Sequence, residues 1–228
     1  MRVTLFFVTL SFLACRTDKS SPDWGGYLGG NDRDHYSSLD QINQSNVTRL
    51  KVAWSFSSGD LDTSRNTQIQ CNPLILDGVL YGSTPALNFF ALDAASGKEL
   101  WKIAPLEDLS GLNGLGVNRG LAYWDGIEGR RLLVTVGPYL LCIDALTGKL
   151  IEDFGTHGRV DLREGMGRDP ESFFLTANSP GVVFEDLFII GSRVDESYGA
   201  GPGHIRAYDV HTGQQRWIFH TIPQPGEE

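Results

Sequence analysis

Three segments of this chain carry the same turn. Ala91-Leu92-Asp93-Ala94-Ala95-Ser96-Gly97-Lys98-Glu99-Leu100-Trp101 aligns with Cys142-Ile143-Asp144-Ala145-Leu146-Thr147-Gly148-Lys149, and both align with Ala207-Tyr208-Asp209-Val210-His211-Thr212-Gly213-Gln214-Gln215-Arg216-Trp217. In each, an apolar run ends at an aspartate that can bond the turn backbone. Ser or Thr followed by Gly reverses the chain, and a second run leaves the turn. Such a sequence folds as antiparallel hairpins repeated along the chain.

Upstream of each hairpin lies another apolar pair: Pro73–Leu76 with Val79–Ser83, Gly120–Trp124 with Leu132–Val136, and Gly181–Phe184 with Leu187–Ser192. Asp77-Gly78, Asp125-Gly126 and Glu185-Asp186 sit at or near the turns between them. Four strands per repeat make a β-propeller blade, so the fold class is all-β. The repeat glycines are 51 positions apart between Gly97 and Gly148 and 65 apart between Gly148 and Gly213. That exceeds the roughly 40–45 residues of a compact propeller repeat. The excess falls in inserted loops, chiefly 104–117, 154–177 and 194–203, and loops are where such a scaffold carries function. Leu50–Trp54 reads as a lone strand with a docking tryptophan, completing the last blade of a ring.

Composition agrees with short strands and tight turns: 27 Gly, 10 Pro and only 2 Met, with no long helical stretch. The formal net charge of −9 comes from scattered acids, whereas nucleic-acid binding needs a basic face. A nucleic-acid partner is therefore excluded.

The first residues form a separate module. Val3–Leu13 is an apolar run of signal-peptide length, too short to span a bilayer. It leads into Phe12-Leu13-Ala14-Cys15, which resembles a bacterial lipobox; a plain secretory signal cleaved near Ala14 is the alternative. The expected organisation is a signal ending at Cys15, a polar tether over 16–22, and a partial propeller over 23–228. Localisation on this reading is exported, on the periplasmic side, lipid-anchored to a membrane. Cys71 and Cys142 fall in different repeats and are either a pair or two buried thiols. No CxxC, HExxH or His cluster points to zinc.

The Asp-x-x-(Ser/Thr)-Gly-x-x-x-Trp repeat is complete at Asp93–Trp101 and Asp209–Trp217. It resembles the tryptophan-docking motif of pyrroloquinoline quinone (PQQ) propellers. In the middle repeat Glu152 stands at the tryptophan position, so docking there is weaker or is taken over by Phe154. Val117-Asn118-Arg119-Gly120-Leu121-Ala122-Tyr123-Trp124 resembles the stretch that supplies a cofactor-binding arginine in PQQ-dependent alcohol and glucose dehydrogenases. Asp23-Trp24 through Asn43, and on to His220-Thr221-Ile222-Pro223, is similar to the same family. The resemblance is closest to the quinoprotein glucose dehydrogenases, and implies about three blades of an eight-bladed ring.

Site residues follow from that resemblance. PQQ carries three carboxylates, so burying it requires fixed positive charge and donors. Arg119 stays charged and can grip a carboxylate through two parallel hydrogen bonds. Gln70 stands where the alcohol dehydrogenases place a glutamate near the cofactor; the alternative is a polar residue opening a strand. Ser192 matches a cofactor-bonding serine. Glu196, with Asp195 second, matches a ligand of the Ca²⁺ or Mg²⁺ ion, against the alternative of a solvated acidic loop. Asn113-Gly114 stands where the alcohol dehydrogenases have adjacent cysteines, and Leu115 where membrane glucose dehydrogenases have a histidine. The loop Gly111–Gly120 fails as a dinucleotide motif, because Arg119 occupies the third glycine of the pattern and no helix follows.

The implied function is oxidation of a glucose-like sugar or an alcohol, with electrons passed to a membrane quinone or a cytochrome. The resemblance also implies an aspartate as general base, which no residue of this chain matches. The competing class is a non-catalytic propeller scaffold lipoprotein of the outer-membrane protein assembly type. It shares the lipobox and the docking repeats but lacks the arginine motif and the Ser192–Glu196 loop.

Overall fold

The computed structural model describes residues 24–64, 67–105 and 117–227. The lipobox, the tether and the loop residues Asn113, Gly114 and Leu115 lie outside the described residues. Three four-stranded antiparallel sheets make up the body. Blade one is β1 (Leu74–Leu76), β2 (Val79–Ser83), β3 (Phe89–Asp93) and β4 (Glu99–Ile103). Blade two is β5 (Ala122–Gly126), β6 (Gly129–Val136), β7 (Tyr139–Asp144) and β8 (Arg159–Asp161). In blade three, β10 (Val182–Phe184) and β11 (Leu187–Ile190) precede β13 (Ile205–Asp209) and β14 (Gln215–Phe219). A two-stranded ribbon pairs β9 (Leu175–Thr176) with β12 (Arg193–Val194). Helix among the described residues is limited to short 3₁₀ turns, and none is long and apolar enough to cross a membrane.

The recurring aspartates act as the sequence requires. Asp93 Oδ1 accepts from the Ser96 amide at 2.8 Å and its hydroxyl at 2.6 Å. Asp144 Oδ1 accepts from the Thr147 amide and hydroxyl at 2.7 and 2.8 Å, and Asp209 Oδ1 from those of Thr212 at 2.9 and 3.1 Å.

Docking between blades uses the glycine that ends each turn. Trp54 lies over Gly97, where an added Cβ would meet its ring at 2.5 Å, and Trp101 lies over Gly148 with the same contact at 2.7 Å. Both glycines have positive φ, so a side chain would be strained as well as crowded. Each indole N–H donates to a turn carbonyl, that of Ala94 at 3.1 Å and that of Ala145 at 3.0 Å. At the third junction Phe154 replaces the indole: it is fully buried, 3.2 Å from where a Cβ on Gly213 would sit. Glu152 is exposed beside His157.

Two cores fill the spaces between blades. Leu74, Phe89, Leu132, Leu141 and Ile143 join blades one and two; Leu133, Phe154, Phe188, Tyr208 and Val210 join blades two and three. Cys142 belongs to the second core and Cys71 packs against the first. Both are free thiols, and burial pushes Cys142 up to about 12. They do not pair: Cys142 is buried and Cys71 half-buried.

Two segments differ from the sequence expectation. Residues 50–54 form no strand, because they have no ladder partner among the described residues. Instead residues 54–60 run as a strap with alternate side chains turned onto blade one: Trp54 over Gly97, Phe56 against Phe90 with ring centroids 4.8 Å apart, and Asp60 against Thr84 and Asn88. The loop 154–177 contains β8, which supplies the fourth strand of blade two after an excursion through the Phe154 dock. After Gly148 the chain makes only an isolated bridge, Ile143 with Leu150, before turning away.

Candidate functional site

The inner ends of the three blades are joined by backbone hydrogen bonds. The Asn72 amide donates to the Arg119 carbonyl at 2.9 Å, and the Arg119 amide donates to the Asn178 carbonyl at 2.8 Å. Side-chain bonds reinforce them. Asn118, almost fully buried, donates to the Thr135 carbonyl at 3.1 Å and accepts from the Gly120 amide at 2.9 Å, while Thr135 donates to the Ala177 carbonyl at 2.6 Å. The asparagine beside Arg119 is therefore a structural lock that fixes how the arginine's backbone leaves blade two. Its signal in the sequence was adjacency to the arginine motif, which does not distinguish wiring from binding.

This stitching brings Gln70, Arg119 and Ser192 to one cleft of about 800 Å³. Further around the wall stand Arg33, Gln68, Asn178, Ser179 and Arg193. Arg33 arrives from the segment before blade one, held in a left-handed backbone conformation with its guanidinium over the Tyr27 ring at 5.5 Å. Arg119 and Gln70 are exposed to the cleft, and Arg119 donates to the Ser179 hydroxyl at 3.4 Å. Ser192 is half-buried and accepts from Arg206 Nη2 at 3.3 Å.

The lining holds three guanidinium groups, three amides and two serine hydroxyls, and no carboxylate. Arginine is always charged and geometrically matched to carboxylates, and hydroxyl and amide N–H groups donate to anionic or carbonyl oxygens. An acid-free, arginine-rich cleft of this size fits a flat polycarboxylate quinone. For a hard cation it offers amide and hydroxyl oxygens only. Asp195 and Glu196 follow β12 in exposed loop positions outside the lining, and among the described residues no group of three or more His, Cys, Asp or Glu side chains comes together as a cation site. Of the predicted site residues, the structure gathers the three assigned to the cofactor and not the two assigned to the ion. Arg33, Arg193 and Ser179 were not singled out in the sequence. Arg33 is 37 positions from Gln70, and only the fold brings it near.

A second cleft, of about 560 Å³, lies between β8 and the last hairpin, lined by Tyr139, Arg159, Asp161, Glu164, Tyr208 and Gln215 among others. It mixes carboxylates with one arginine and shares no lining residue with the first cleft.

The family model described as PQQ, glucose/ethanol/alcohol dehydrogenase, beta-propeller domain, matches residues 24–228. The chain is 34% identical to the quinate/shikimate dehydrogenase (quinone) of Acinetobacter baylyi, over 88% of this chain and 28% of that protein. It is 32% identical to quinoprotein glucose dehydrogenase A of Acinetobacter calcoaceticus, over 87% of this chain and 28% of that protein. Among solved structures, the quinohemoprotein alcohol dehydrogenase of Comamonas testosteroni superposes with a TM-score of 0.71 at 30% identity, covering 91% of this chain and 28% of that one. The chain thus spans little more than a quarter of the length of these relatives.

Proposed function

The chain belongs to the PQQ-dependent glucose/ethanol/alcohol dehydrogenase propeller family, and from that premise we propose that it forms one face of the cofactor site of a PQQ-dependent dehydrogenase. The substrate class is an alcohol or a glucose-like sugar, and the electron acceptor a membrane quinone or a cytochrome. The observation that carries this reading is the cleft where Gln70, Arg119 and Ser192 meet, with guanidinium groups and no carboxylate around it.

When bound, PQQ supplies a quinone that takes up two electrons from the alcohol carbon. The residues of this chain hold and orient it. Arg119 would hold one carboxylate, for which its guanidinium carries two parallel N–H donors, while Arg33 and Arg193 extend the positive wall. Ser192 would donate a hydrogen bond through its hydroxyl. The Gln70 amide would offer both a donor and an acceptor. Val117, Ile189 and Ile190 keep part of the wall apolar and limit water access. No carboxylate in the cleft can act as general base, so proton removal from the substrate is not assigned to this face.

Export with a lipid anchor at Cys15 is part of the same proposal. It is supported by the apolar Val3–Leu13 run and Leu13-Ala14-Cys15. Intact-mass analysis of the membrane fraction tests it: a mature chain starting at a diacylglyceryl cysteine is expected, and an unlipidated chain starting elsewhere overturns it.

Reconstitution of the complete gene product with PQQ, read by absorbance of the bound quinone and by dye reduction with glucose or ethanol, tests the function. Saturable binding and substrate-dependent reduction are expected. A folded protein that neither binds PQQ nor reduces dye points instead to a scaffold.

A further inference from the structure

Arg206 is a fully buried arginine with no ion pair within 4.0 Å among the described residues. It lies on β13 beside Ile205, which lines the cleft, and its own side chain is 0% exposed. Its guanidinium donates to the Leu162 carbonyl and, through Nη2, to Ser192 Oγ at 3.3 Å, with Cζ 5.6 Å from the Tyr208 ring centroid. Nε is buried and has no partner. Tyr208 hydrogen-bonds the guanidinium and the charge of Asp161 reaches it, but Asp161 is shared with Arg163 at 2.7 Å.

A buried cation is costly when the acid nearest it is already shared with a second cation. Burial lowers the basicity of Arg206, yet a guanidinium remains charged in a protein. The space beyond Ser192 is the cleft, so an anion there would supply the missing charge. Geometry adds a second constraint. Arginine has only donors, so an N–H of Arg206 occupies a lone pair of Ser192 Oγ and the serine's own proton must point elsewhere. Ser192 lines the cleft, and its proton is free to point into it.

We propose that Arg206 is a positioning residue: it fixes Ser192 as a hydrogen-bond donor toward an anionic or quinone oxygen of PQQ and places a permanent positive charge beneath that oxygen. The inference rests on the PQQ reading above.

The test is a double-mutant cycle in the complete gene product, reading the Kd for PQQ by absorbance titration and folding by thermal unfolding. Ser192→Ala and Arg206→Gln are each expected to weaken binding about tenfold, and the double variant also about tenfold, because both remove one arrangement. Arg206→Lys keeps the charge and is expected to recover most of the affinity. An unchanged Kd in folded Arg206→Gln, or a double variant weakened about a hundredfold, leaves Arg206 a purely structural residue and overturns the proposal. If Arg206→Gln does not fold, Arg206→Lys is compared in the Ser192 and Ser192→Ala proteins. A few-fold loss in the first alone supports the proposal, and equal losses in both, or none in either, overturn it. Arg119→Ala separates the two levels. If it and the wild type bind PQQ equally, or the folded wild type does not bind PQQ, the functional reading fails and takes this inference with it. If Arg119→Ala weakens binding while the cycle shows no coupling, this inference alone fails.

Discussion

The Trp101 indole donates to the Ala145 carbonyl at 3.0 Å while its ring covers Gly148, so one side chain of blade one caps the turn of blade two. The same geometry joins Trp54 to blade one, and Trp217 presents the third indole of the series at 39% exposure. Removing Trp101 should therefore open a cavity at a junction, at a cost of about 3 kcal/mol. Trp217→Ala in the 228-residue chain should cost under about 1 kcal/mol. Thermal unfolding of the two variants side by side checks this, and equal losses would contradict the docking account.

The third junction separates motif from structure. Sequence alignment puts Glu152 at the docking position, but Phe154 fills the space against Gly213. Phe154→Ala is expected to cost about 3–5 kcal/mol, and Glu152→Ala under about 0.5 kcal/mol. Denaturant midpoints of the two variants decide between the assignments.

Acid should weaken the turns. Burial opposes ionisation of Asp209, but hydrogen bonds from Thr212 and His211 and the nearby imidazole outweigh it, leaving the carboxyl below its usual value. A carboxyl whose folded pKa is depressed contributes stability above its unfolded pKa and loses it as pH falls through the folded one. Asp209→Asn should therefore lower the thermal midpoint near neutral pH, and the gap from wild type should close below about pH 4. A gap that does not change with pH would mean the turn depends on shape rather than charge.

The placement of the acidic loop gives a prediction about the ion. Glu196 is exposed and outside the cleft lining, so Glu196→Ala in the complete gene product should leave the Ca²⁺ or Mg²⁺ concentration needed for activity unchanged. A shift of that titration curve would bring Glu196 into the metal site after all.

The parts of the fold that depend on local chemistry could be read directly. Asp and Gly at each turn announce the hairpins because a carboxylate acceptor and a positive φ are needed within a few residues of each other. The docking of Trp54 was visible from a tryptophan closing a short apolar run, but not the strap, whose residues alternate like a strand without pairing. Strand β8 was hidden because three residues after an excursion carry too little periodicity to stand out. In the site, Gln70, Arg119 and Ser192 were legible through family motifs. Arg33 and Arg206 were not: one reaches the cleft only through tertiary placement, and the other reads as an ordinary polar residue alternating along a strand.

The central claim is that the cleft binds a polycarboxylate quinone through Arg119. Equilibrium titration of PQQ into the complete gene product, wild type against Arg119→Ala and Arg119→Lys, tests it most directly. Loss of a charge-assisted carboxylate pair worth several kcal/mol lowers affinity by about two orders of magnitude or more, and lysine, lacking the two-pronged geometry, restores only part of it. A folded Arg119→Ala protein that binds PQQ as tightly as the wild type would contradict the account.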